Sequence, residues 1–181
     1  MKSSIDDEGI PFVRAVDPPA RPPAAMLVVD LAGSKGVSVS GRLYTADWNA
    51  GRAGRAQSPS TPVPWPPLVT LPSAGRAVSL LLSTNVFPDW VSVRSFDDVD
   101  PGDAEPRTSP VAEFNCGRFQ APHCVLRSRR GSVVVDALDP RLLRGRYLTA
   151  WASWFVPSAQ RGEPGDVAAS WLFRLGTEEA R

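Results

Sequence analysis

Only one imidazole is available to this chain, at His123. Any Ser-His-Asp or Cys-His arrangement would have to be assembled around it. Cys124 follows directly, in a segment that reads as a strand, and neighbouring side chains on a strand point to opposite faces. The two therefore do not pair with each other as nucleophile and base. His123 reads as a surface or turn residue, and the chain is expected not to be an enzyme.

The two cysteines, Cys116 and Cys124, bracket a short segment containing Gly117 and Pro122. Three chemistries compete for them. A disulfide would suit an exported domain and would contribute about 2–3 kcal/mol by loop entropy. Two buried thiols would suit a cytosolic protein. A zinc site would recruit His123 and Glu113, but adjacent His and Cys chelate poorly along a strand, and the spacing matches no zinc pattern. The disulfide is the preferred reading.

Between Asp97 and Glu105 lie five carboxylates: Asp97, Asp98, Asp100, Asp103 and Glu105. Asp98, Asp100, Asp103 and Glu105 are the candidate ligands for a hard cation such as calcium. The competing reading is a solvated turn built on Asp100-Pro101-Gly102-Asp103. The resemblance to a calcium-binding helix-loop-helix is superficial, since the flanking helices and the closing Glu are missing. The same carboxylates would serve a hydrolase, an alternative that requires a cleft and a perturbed carboxyl group at this loop.

Basic residues cluster at Arg127, Arg129 and Arg130 and again at Arg141, Arg144 and Arg146. Asp136 and Asp139 lie among them, so a solvated, internally neutralised face is expected. The formal net charge of +1 provides no field to gather nucleic acid. Lys2 and Lys35 are the only lysines among twenty basic residues. Gly33-Ser34-Lys35-Gly36 lacks the spacing of a phosphate-binding loop. No cofactor is implied.

Six tryptophans remain. Trp171 alternates with apolar neighbours and reads as core. Trp65, Trp90 and Trp154 are the candidate ligand-binding aromatics, with Trp154 and Trp65 taken as the better candidates for exposure. Exposed aromatics on a rigid sheet stack sugars or anchor protein partners. The competing role is to pack Pro-rich segments onto the domain.

The elements that must position these residues are short strands. Nineteen prolines and fourteen glycines argue against a helical bundle. Apolar alternation marks strands near 26–31, 37–46, 68–71, 78–83, 90–94, 123–128 and 132–137. Residues 139–145 read as one helical turn or loop. The clearest signal is a hairpin of Tyr147–Val156 and Val167–Leu175 about a Pro/Gly-rich turn. In its first strand both faces are apolar, Tyr147, Trp151 and Phe155 on one, which suits a central strand covered on both sides or one lying over an exposed apolar patch.

The fold class is therefore an all-β antiparallel sandwich, loosely immunoglobulin-like by analogy of class. The Cys116–Cys124 spacing is too short for the inter-sheet bridge of an antibody domain. Residues 1–25, with Pro11, Pro18, Pro19, Pro22 and Pro23, read as a flexible arm or tether. Residues 26–178 read as one domain, with a Pro/Gly-rich excursion at 50–67.

No stretch is long and apolar enough to span a membrane. The polar start is no signal peptide, so either the protein is cytoplasmic or an export signal or anchor has been removed. The expectation is a non-catalytic binding or structural module, extracytoplasmic or at the cell surface, with a protein or carbohydrate partner. The alternatives are a carbohydrate-binding module using exposed tryptophans and a hydrolase using the acidic loop.

Overall fold

The structure, a computed structural model, describes residues 17–31, 34–48, 63–71, 75–99, 106, 108–117, 125–156 and 165–177. Among them eleven strands are present: β1 (Ala25–Leu31), β2 (Ser34–Ser40), β3 (Arg42–Asp47), β4 (Val69–Leu71), β5 (Gly75–Leu82), β6 (Trp90–Phe96), β7 (Ala112–Gly117), β8 (Val125–Arg129), β9 (Ser132–Leu138), β10 (Tyr147–Val156) and β11 (Gly165–Thr177). One 3-10 turn, Pro140–Arg144, precedes β10. Its start is capped by Asp139, whose carboxylate accepts from the Arg141 N–H at 2.9 Å.

The strands form two packed antiparallel layers. One sheet has the order β2-β1-β5-β9-β8, and the other runs β3-β11-β10-β6-β7, with β4 added in parallel to the end of β11. This is the expected sandwich. Its five- and six-stranded sheets exceed the four-plus-three arrangement of an immunoglobulin constant domain, so the analogy reaches the layering alone.

Alternation explains the core. Leu27, Val29, Val78, Leu80, Leu82, Val133 and Val135 point inward from the first sheet and are fully buried. Val91, Val93, Leu148, Ala150, Ala152, Trp154, Trp171 and Phe173 face them from the second. Each large side chain so buried stabilises by about 1.5–3 kcal/mol. Leu142 from the 3-10 turn joins the same cluster.

β10 and β11 pair from Tyr147↔Arg174 to Val156↔Gly165, confirming the hairpin, and they occupy the centre of the six-stranded sheet. A second hairpin joins β8 to β9 through Arg130 and Gly131, whose φ values of 47° and 79° are those of a tight turn matched to strand twist.

Two features depart from the sequence reading. Residues 37–46, read as one continuing strand, divide at Gly41 into β2 and β3, which belong to different sheets. A Cβ on Gly41 would lie 2.7 Å from Phe173 Cζ, so only glycine lets the chain cross there. Its N–H donates to the Ala25 carbonyl at 2.8 Å, fixing the corner. The second departure is β7, an edge strand that follows the acidic loop and was not anticipated.

The N-terminal arm is docked where it is described. Trp48 Nε1 donates to the Pro19 carbonyl and Trp171 Nε1 to the Pro23 carbonyl. Residues 1–16 lie outside the described residues. Among the described residues no helix is long and apolar enough to cross a membrane.

Candidate functional site

The two faces of β10 differ in composition. Leu148, Ala150, Ala152 and Trp154 point into the core and are buried. Tyr147, Thr149, Trp151, Ser153 and Phe155 share the opposite parity and lie on the outer face of the six-stranded sheet. One end of that face is covered; at the other, Trp151 and Phe155 are partly exposed while Ser153 between them is buried beside Trp90.

A Pro-rich strap, residues 63–68, produces the covered end. Arg42 donates to the Pro64 carbonyl at 2.9 Å. The Trp65 ring meets Tyr147 edge-on, with centroids 4.9 Å apart. Arg42 pairs with Leu172, and Tyr147 pairs with the neighbouring Arg174, so the strap is anchored on both flanks of Leu172. Leu172 points outward by parity and is nevertheless 0% exposed. The Arg174 guanidinium lies over the Tyr147 ring, 5.7 Å from its centroid. Trp65 Nε1 is buried and finds no acceptor among the described residues.

At the other end Trp151 is 37% and Phe155 45% exposed. Pairing across five strands sets Thr45, Ser170, Trp151, Ser92 and Asn115 in one row. The row spans about 19 Å at the usual inter-strand spacing. Short hydroxyl side chains, Ser170 and Ser92, flank Trp151 on both sides within the row. Thr45 Oγ1 and Ser170 Oγ are hydrogen-bonded to each other.

The charges beside this row are internally paired. Arg94 contacts Glu113 Oε1 through Nε and an η nitrogen, each at 2.9 Å. Asn115 Nδ2 donates to the same oxygen at 3.1 Å. The Asn115 hydrogen bond, the largest effect, holds the Glu113 carboxyl below its ordinary value; burial opposes it, and the hydrogen bond and charge of Arg94 add to the lowering. The base of the face is fixed by Asp89, whose Oδ2 accepts from the Phe155 N–H at 2.7 Å. The Asp89 N–H in turn donates to the Ser153 carbonyl at 2.8 Å.

Comparison of the chain with known families, curated proteins and solved structures found no match. The site therefore rests on its own geometry.

Of the three tryptophans singled out from sequence, Trp154 is corrected. It is 1% exposed, with Nε1 donating to the Val86 carbonyl at 3.1 Å and its ring edge-on to Trp48. Trp65 is half-buried within the strap. Trp90 is half-buried on the outer face and lies over Gly117, where an added Cβ would stand 2.0 Å from its ring. Trp48, Trp154 and Trp171 each donate to a loop carbonyl, so the packing role of tryptophan holds for these. Trp151 and Phe155, grouped from sequence on one apolar face of the strand, were not counted among the candidate ligand-binding aromatics. Thr149 and Ser153 share their parity, although Ser153 is itself buried.

Cys116 is buried on the inner side of β7, and no described cysteine is free. Cys124 and His123 lie outside the described residues, as do Asp100, Asp103 and Glu105 of the calcium expectation. Asp98 is exposed, with one carboxylate oxygen accepting from the Val99 N–H at 2.9 Å. Among the described residues no three His, Cys, Asp or Glu side chains gather as metal ligands would.

Proposed function

We propose that this chain is a non-catalytic binding module that works outside the cytoplasm through the partly exposed end of its six-stranded sheet. The observation that carries this reading is the selective cover. On the same outer face Leu172 beside the strap is fully buried, while the Trp151 and Phe155 rings remain partly exposed on either side of a buried Ser153. Outward aromatics on a central strand cost solubility and are retained where a ligand covers them.

The compartment follows from the cysteines. We propose a Cys116–Cys124 disulfide, supported by the burial of Cys116 and by the absence of a free cysteine among the described residues. Such a bond persists in an oxidising environment. Protein purified without reductant should resist alkylation and gain two labels only after reduction. Two labels before reduction overturn the disulfide.

Binding is tested by retention of the intact chain on three immobilised surfaces: a neutral polysaccharide, a sulfated polysaccharide and gelatin. Wild-type protein should be retained on at least one, and the W151S/F155S variant on none. Equal behaviour of the two proteins on every surface overturns the reading.

A further inference from the structure

We propose that the row Thr45–Ser170–Trp151–Ser92–Asn115 is a binding site for an uncharged oligosaccharide, stacked on Trp151 and hydrogen-bonded to the hydroxyls beside it. The inference rests on the binding-module reading and names the ligand class for the same face.

Four ligand chemistries are distinguished by what surrounds Trp151. A nucleic acid or other polyanion needs unpaired positive charge. Arg94 is neutralised by Glu113, and Arg174 is engaged at the covered end over Tyr147. A polycation would seek an acidic patch, and Glu113 is already held by Arg94 and Asn115.

A protein partner favours a dry centre of large apolar side chains that exclude water. Trp151 is bordered in its row by Ser92 and Ser170, and beyond them by Asn115 and Thr45, with no aliphatic side chain among them; the large side chains outside the row are the half-buried Trp90 and Phe155. A sugar ring fits this composition. Its C–H face stacks on an indole, while its rim of hydroxyls meets small donors and acceptors at either side. The row is longer than a single ring, so a chain of several sugars lies across the strands. Phe155, about 13 Å along the same strand, supplies a second and weaker platform.

β10 holds Trp151 rigidly, because it is paired on both sides through β6 and β11. A fixed aromatic loses little freedom on binding. The binding step involves no bond making.

The test is titration of the intact chain with neutral gluco-, xylo- and manno-oligosaccharides of increasing length, followed by tryptophan fluorescence and calorimetry. At least one series should bind, with affinity rising from the mono- to the tetrasaccharide. W151A should weaken that binding at least tenfold, W151F should restore part of it, and S92A and S170A should each weaken it about two- to tenfold. Cooperative unfolding transitions establish that the variants are folded. No binding in any series, or binding indifferent to Trp151, overturns the sugar assignment. Trp151-dependent retention on gelatin or on the sulfated polysaccharide alone overturns it too, while leaving the binding-module reading standing.

Discussion

The two ends of one sheet face do opposite things with the same kind of residue. At the covered end Trp65 and Tyr147 meet edge-on within the strap, and Leu172 beside them is removed from water. At the other end Trp151 and Phe155 keep 37% and 45% of their surface exposed. Both ends share β10 and β11, so differences in backbone rigidity do not separate them. What separates them is the partner each aromatic has. One end is satisfied within the chain and contributes to stability; the other contributes little to stability and is available to a ligand.

The sharpest way to break this contrast is Leu172→Ala. It should lower the unfolding free energy by about 2–5 kcal/mol, as for other buried leucines, in urea denaturation. A loss below about 1 kcal/mol would mean that the strap does not seal this end. Trp65→Ala should cost about 1–3 kcal/mol, less than a fully buried tryptophan because Trp65 is half-buried. It should also make Tyr147 more accessible to a solution quencher.

At the other end Trp151→Ser should cost about 0.5–1.5 kcal/mol, less than Trp65→Ala because more of its ring already faces water. A larger loss would show Trp151 to be structural and collapse the distinction. Smallest is the effect of acid on the Arg94–Glu113 pair. The Glu113 carboxyl is lowered in the folded chain, so its contribution is present above its ordinary value and is lost as pH falls through the lowered one. The pair is largely solvated, and the contribution stays below about 1 kcal/mol. Glu113→Gln should remove that part of the acid-side decline in a pH series of unfolding midpoints.

The sequence disclosed the sandwich wherever alternation was local. Tyr147–Val156 could be read directly, because ten residues of strand character end at a proline-rich turn. The inner and outer faces of that strand were read less well. Two tryptophans three positions apart have opposite parity, and size alone does not say which is buried. Thr149 and Ser153 mark the outer face by parity, but Ser153 is itself buried, so they do not show that the face is open. β7 was hidden by its approach through an acidic loop, although Ala112, Phe114 and Cys116 alternate with Glu113 and Asn115. The strap was illegible for another reason. Proline-rich composition signals a lack of regular structure and says nothing about docking, which depends here on a tyrosine far along the chain. Gly41 gave no local sign of a change of sheet, since the clash it avoids is with Phe173, distant in sequence.

The pairing of β3 with β11 joins an early segment to the last strand of the chain. During synthesis, residues 42–47 emerge long before their neighbour exists and must wait with hydrogen-bonding groups unmet. The six-stranded layer closes only once the final strand has been released, which sets a slow, late step of the kind long-range strand pairing imposes. Disruption of that strand between Ala168 and Leu172 would strand the early one beside empty solvent, turning an internal seam into an adhesive edge.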